Sequence, residues 1–268
     1  LRMGTKFSTR VWVSVVGIAS IFFGSKGYAD TVISVADFGL KPDTRENAVA
    51  YVQKAIEACR GKEPVTLVFP EGRYDFWPQY AHEKNYYETN TYDVFPKRLA
   101  MLFEGLHNIT VDGNGSQFVM HDRIQPITVE NCDGVTLKNF SIDWDIPLTA
   151  QARVTKVGSD FFEIEINVLE SPYIIEDGKL VFVGEGWKSA LGSMIEFESD
   201  THFVVPGTGD LVLGWNWGDY TAVSPRYGIV RLSRKGGFER YPAEGNWLVL
   251  RHSTRDHAGI FICGSHDV

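Results

Sequence analysis

Residues 108–145 read NITVDGNGSQFVMHDRIQPITVENCDGVTLKNFSIDWD, and this stretch sets the expectation for the whole chain. Short alternating apolar runs recur in it: Ile109 to Val111, Phe118 to Met120, Ile127 to Val129, Val135 to Leu137 and Phe140 to Ile142. Each is closed by Asp-Gly, Asn-Gly, Asn or His-Asp. They predict strands of about three residues, because period-two alternation bounded by turn residues is the strand signal. Ile109 and Val135 lie 26 residues apart in phrases that echo each other, a spacing inside the range that marks a solenoid. Stacking such strands on equivalents in the next coil would pair every backbone group and build one core. One coil of a right-handed parallel β-helix is therefore expected, with a hairpin meander as the rival reading.

Working outward, 268 residues with 44% hydrophobic content are enough for a large core. The formal net charge of −8 leaves no basic stripe for phosphates, so a nucleic-acid partner is not expected. Residues 1–29 read as a signal peptide: Arg2, Lys6 and Arg10, then an apolar run from Val11 to Phe23, then Gly27, Tyr28 and Ala29 before a cleavage point at Asp30. The run is too short for a spanning helix. An exported protein, periplasmic or secreted from a bacterium, without stable membrane insertion, is the expectation. Cys59, Cys132 and Cys263 are odd in number and lack CxxC spacing. That predicts buried free thiols and neither a disulfide framework nor a zinc site, and no metal or cofactor is expected.

Residues 30–151 are expected to hold an N-terminal cap and the first coils. Asp43 and Glu46 have the spacing of a capping box, and the helix after them puts Val49, Val52, Ala55, Ile56 and Cys59 on one face before Gly61 ends it. Val35, Asp37, Phe38 and Gly39, followed by Phe69, Pro70, Gly72 and Tyr74, resemble the N-terminal cap of pectate-lyase-like β-helix proteins. Aromatics crowd the polar loop after it (Trp77, Tyr80, Tyr86, Tyr87, Tyr92, Phe95), as a sugar-binding wall would require, though they would equally serve as packing.

Residues 152–245 change character. Longer alternating runs separated by turns such as Glu176 to Gly178 predict an inserted antiparallel β-barrel or sandwich, with Trp187, Trp215 and Trp217 in its turns. Trp247 to Leu250 and Ile260 to Cys263 are expected to resume the coils over residues 246–268. No closing cap is visible before Val268, so the chain reads as the N-terminal part of a longer protein.

Two polar clusters are the candidate substrate-binding residues. Asp143, Trp144 and Asp145 set two carboxylates around an indole, suited to sugar hydroxyls or to a structural turn. As an acid/base pair they stand too close, since inversion needs about 6.5–9.5 Å between carboxyls. Arg255, Asp256 and His257 form the second cluster, a hydroxyl-binding set or a salt-bridged turn.

Taken together, Tyr74 to Pro78, Pro96 to Ala100, Asp112 to Ser116, Arg123 to Pro126, Ser141 to Leu148 and Thr254 to Ile260 resemble the bacterial α-1,3-galactosidases of glycoside hydrolase family 110. The resemblance implies an exo-acting, inverting, metal-free enzyme acting on galactose-terminated glycans, blood-group-B-type or linear. It also implies an aspartate acid and base that include an adjacent Asp-Asp pair. No Asp-Asp occurs in these 268 residues, so the catalytic residues stay unassigned and are expected beyond Val268. Other β-helix polysaccharide-degrading enzymes, of polygalacturonase or lyase type, and a non-catalytic glycan-binding protein are the alternatives.

Overall fold

The computed structural model describes residues 31–88, 94–207, 220–252 and 257–268. In chain order the first elements are β1 (Thr31–Ser34), helix α1 (Val49–Cys59), β2 (Val65–Val68), β3 (Arg73–Phe76), β4 (His82–Lys84), β5 (Lys97–Glu104), β6 (His107–Met120), β7 (Gln125–Glu130) and β8 (Asp133–Trp144). Then come β9 (Thr149–Val157), β10 (Phe161–Ile166), β11 (Tyr173–Glu176), β12 (Lys179–Gly184), β13 (Trp187–Phe197), β14 (Tyr220–Arg226), β15 (Ile229–Arg234), β16 (Trp247–His252) and β17 (Ile260–Cys263).

The chain is all-β, but the expected parallel β-helix is not its architecture. The largest sheet has eight strands, ordered β11-β12-β13-β16-β9-β10-β15-β14, and every one of its pairs is antiparallel. Among the described strands, parallel pairing is confined to two smaller sheets. One has five strands, β1-β2-β6-β3 with β8 on β6; the other is β17-β7-β5-β4, where β4 runs antiparallel. The 26-residue echo is real as a contact, since Ile109 pairs with Val135 in parallel. It joins two long strands, however: Ile109 to Val111 and Phe118 to Met120 are one strand, β6, as Val135 to Leu137 and Phe140 to Ile142 are one strand, β8, and only Ile127 to Val129 keeps a strand of its own, β7. Asp112 to Ser116, read as a turn, is an irregularity inside β6, where Asn114 (φ +49°) and Gly115 (φ +82°) take left-handed conformations. A residue in that conformation bends a ladder without ending it.

Two cores result. The first gathers α1 and the parallel strands around Phe118, whose ring lies 4.8 Å from Phe69, 5.8 Å from Phe76 and 5.1 Å from Phe140. Helix α1 buries Val49, Val52, Ala55, Ile56 and Cys59 as its spacing requires. Its start differs from expectation. Asp43 accepts from the Arg73 backbone N–H (2.9 Å) at the head of β3, and Asn47 Oδ1 instead accepts from Val49 N–H (3.1 Å). Tertiary demand for Asp43 outweighs its local capping preference.

The second core lies inside the antiparallel sheet, where alternation turns Ala150, Ala152 and Val154 of β9 inward with Leu248 and Leu250 of β16. The sheet nearly closes. Ala222 N–H donates to Gly178 O (2.7 Å) and Lys179 Nζ to Tyr220 O (2.7 Å), tying the β11–β12 turn to β14. Trp247 to Leu250 belong here, between β13 and β9, rather than to a resumed coil. Phe203 to Val205, expected as a strand, contribute only a bridge from Val204 to Phe197. Trp187 is buried. Residues 1–29, Tyr92, Leu211 to Leu213, Trp215 and Trp217 lie outside the described residues. Cys59 and Cys132 are buried and Cys263 half-buried, all three free.

Candidate functional site

The site arises from register. Phe76, Met120 and Trp144 align across β3, β6 and β8, and the next residue of each strand extends the alignment. His121 N–H donates to Phe76 O (2.9 Å) and Asp145 N–H to Met120 O (3.0 Å). Trp77, His121 and Asp145 therefore stand side by side. Alternation sends Tyr74, Phe76, Phe118, Met120 and Trp144 into the core. It leaves Arg73, Asp75, Trp77, His121, Asp143 and Asp145 on the other face.

On that face the Trp77 and His121 rings stack at 3.7 Å and 13°. Both ring nitrogens of His121 meet carboxylates at 2.8 Å: Nε2 the buried Asp75, Nδ1 Glu185. Glu185 also accepts from Trp77 Nε1 (2.8 Å). Arg73 grips Asp75 through Nε (3.0 Å) and Nη2 (2.6 Å) and reaches Asp145 through Nη2 (2.7 Å). Arg45 approaches both carboxylates at 3.8 and 3.9 Å. Burial alone would raise the Asp75 pKa, but hydrogen bonds from Arg73 and His121 outweigh it and hold the carboxyl below the usual range.

This cluster is built for positioning. Ligand atoms of Asp75, His121 and Asp145 lie within 4.8 Å of one another. That is short of the roughly 6.5–9.5 Å separating an inverting acid and base, and Asp75 has no access to solvent. A cation is equally disfavoured, because the Arg73 guanidinium already occupies both carboxylates.

Beside it opens a cleft of about 430 Å³, with Trp77, Glu83, Arg98, Asp122 and Glu185 among its walls. Glu185 and Gly186 form the two-residue turn between β12 and β13, so the tip of a barrel hairpin docks on the parallel layer. Gly186 has φ +71°, and a Cβ there would sit 2.3 Å from Asp122 Oδ2. Gly186→Ala is therefore expected to lower stability by about 1–3 kcal/mol, read as a fall in the urea midpoint. Asp122→Ala should recover the part due to the clash, leaving only the backbone strain.

Of the sequence candidates, the structure brings one into this cluster. Asp145 joins it; Asp143 is exposed and, among the described residues, accepts from Trp144 N–H (2.8 Å). Trp144 packs against the core, and its buried indole Nε1 has no hydrogen-bond partner among the described residues. Residues two apart share a face, so the indole between Asp143 and Asp145 had to point the other way. Arg255 and Asp256 lie outside the described residues. His257 is separate, and its pKa is pushed down to about 4 by burial and then by Lys97, Arg123 and Arg98. Its folded pKa lies below the ordinary value near 6.5, so it favours the fold above that value and the benefit is lost as pH falls toward 4. His257→Gln is expected to flatten the stability profile between those values by up to about 1.4 kcal/mol per pH unit, measured by urea unfolding at several pH values. Of the expected aromatic wall, Trp77 lines the cleft, Tyr86 packs on Phe261 at 5.0 Å, and Tyr80 and Tyr87 are exposed.

Sequence reading missed Arg73, Asp75, His121 and Glu185 as a set. The available signal was an Asp between Tyr74 and Phe76, at a strand position that alternation could only bury or pair.

Comparison with known proteins agrees with the architecture. Residues 150–248 match the family model described as GLAA-B beta-barrel domain I, which covers the antiparallel sheet. The class is thus an all-β protein carrying that barrel. Over 241 residues the chain is 58% identical to alpha-1,3-galactosidase B of Bacteroides thetaiotaomicron, covering 89% of this chain and 39% of the relative. It is 34% identical to alpha-1,3-galactosidase A of Bacteroides fragilis over 247 residues, 89% of this chain and 39% of that one. A third relative, alpha-1,3-galactosidase B of Phocaeicola vulgatus, is 36% identical over 261 residues, 96% of this chain and 41% of the relative. The chain spans about two-fifths of the length of these curated relatives. Its similarity to these α-1,3-galactosidases runs through most of the chain and includes the barrel.

Proposed function

We propose that the complete protein is an exo-acting glycoside hydrolase that releases terminal α-1,3-linked galactose with inversion. The observation that carries this reading is the 58% identity to an alpha-1,3-galactosidase B over 89% of the chain, barrel included. Inversion requires one protonated carboxyl to release the aglycone and one carboxylate to activate water on the opposite face of the ring. The described residues take a supporting part in it: Asp75 and Asp145 are clamped by Arg73 and too close together for those roles. Galactose-terminated glycans, of blood-group-B type or linear, are the proposed substrates. Export is proposed from the basic and then apolar run in residues 1–29; among the described residues no helix is long and apolar enough to cross a membrane. N-terminal sequencing of the exported protein should begin at Asp30.

The test is incubation of protein extended to the relatives' length with an α-1,3-linked galactobiose and with polygalacturonate. Galactose released first as the β-anomer, seen by proton NMR, is the expected result. Turnover of polygalacturonate alone would replace this reading with a pectin-degrading one.

A further inference from the structure

The cleft beside Trp77 has a feature the cluster behind it does not need: a fixed aromatic wall facing open, hydrogen-bonding side chains. Trp77 is locked by the stack on His121 and by its Nε1 bond to Glu185. A side chain already immobilised loses little entropy when a ligand lies against it. Around it stand Gln79, Glu83, Arg98, Asp122 and Glu185. Arg98 and Glu83 face each other at 3.5 Å, both about half exposed, so neither is sealed off from a ligand. Amide, guanidinium and carboxylate groups are planar and bidentate, the geometry that spans two neighbouring hydroxyls. The volume of about 430 Å³ lies within the range of small-ligand sites. Three carboxylates against one guanidinium make the walls net negative, which disfavours an anionic ligand.

We propose that this cleft, between the parallel layer and the barrel hairpin tip, is a glycan-binding site for one neutral hexose. The apolar face of the ring lies along the Trp77 indole and adjacent hydroxyls meet Arg98, Glu83 and Gln79. The choice of galactose as that hexose rests on the proposed function; the preference for an uncharged ring rests on the cleft itself.

Calorimetric titration of the full protein with methyl α-galactoside and methyl α-galacturonate tests it, with the variants Arg98→Ala and Gln79→Ala. Both substituted residues are exposed, and unchanged melting temperatures would confirm intact folds. The expected result is galactoside binding that loses one site, or weakens roughly tenfold, in each variant, with the uronide at least about tenfold weaker than the galactoside. Equal stoichiometry and affinity in wild type and both variants would overturn the proposal, as would a uronide that binds as tightly as the neutral sugar. Hydrolysis of the α-1,3-linked galactobiose by the wild type, measured in parallel, separates the two readings. Hydrolysis with no cleft-dependent binding sinks the cleft alone, and cleft-dependent binding with no hydrolysis sinks the galactosidase alone.

Discussion

Arg73→Met is expected to cost about 3–5 kcal/mol of stability, because it takes the main charge partner from a buried carboxylate and leaves it only His121 and the more distant Arg45. Asp75 has no exposed side-chain surface, and Arg73 supplies three of its hydrogen bonds. Methionine fills much of the same space and supplies none of them. The pH dependence identifies the cause. Asp75 is held below the usual carboxylate range in the fold, so it contributes stability above its unfolded pKa near 3.9 and that contribution is lost as pH falls through the folded value. Without Arg73 the buried carboxyl is penalised by burial, its folded pKa rises, and the variant should gain on wild type as the pH is lowered. Urea unfolding at neutral pH and near pH 4 checks both points. A constant difference across that interval would mean that packing, and not the lost charge partner, is responsible.

Phe118→Ala is the second large effect, with an expected loss of about 3–5 kcal/mol. Phe118 is fully buried, and its ring contacts Phe69, Tyr74, Phe76 and Phe140, which come from three different segments. Tyr74, Phe76 and Phe140 sit on strands in parallel register with β6, and Phe69 N–H donates to Asp112 O of β6, so they cannot collapse into the hole without breaking those bonds. The change should appear as a lower urea midpoint for the parallel layer. The barrel has its own core, and Phe162→Ala in that second cluster is the comparison that shows whether the two layers unfold together.

Much of the fold is legible along the chain. Alternation in residues 149–166 gives two strands with Ala152, Val154, Phe162 and Ile164 inward, and they form β9 and β10. The helical face of α1 is written in the spacing of Val49, Val52, Ala55, Ile56 and Cys59. Even the pairing of Ile109 with Val135 is audible as an echo. Extrapolating that echo to a solenoid failed because one parallel pair says nothing about how many others stack on it. A left-handed Asn or Gly, moreover, looks the same in sequence whether it ends a strand or bends one. The Asp43 cap failed in a related way: a side chain free to cap locally was claimed by the Arg73 backbone 30 residues on.

The candidate site was less legible. Asp145 was named for a sugar-binding role beside Trp144, yet its partners are Arg73 and Arg45, and the indole belongs to the core. His121 looked like one half of a turn, and Glu185 drew no reading at all. Their contact spans 64 positions and joins two sheets. Sequence by itself determined which residues alternate, which face of the helix is apolar and that the chain is all-β, since these follow from periods of two and 3.6 residues within a single element. Only the tertiary structure decided which sheet dominates and which charges meet, because strand register and the docking of one hairpin tip are settled by packing between distant segments, and no local pattern encodes a partner 46 or 64 residues away.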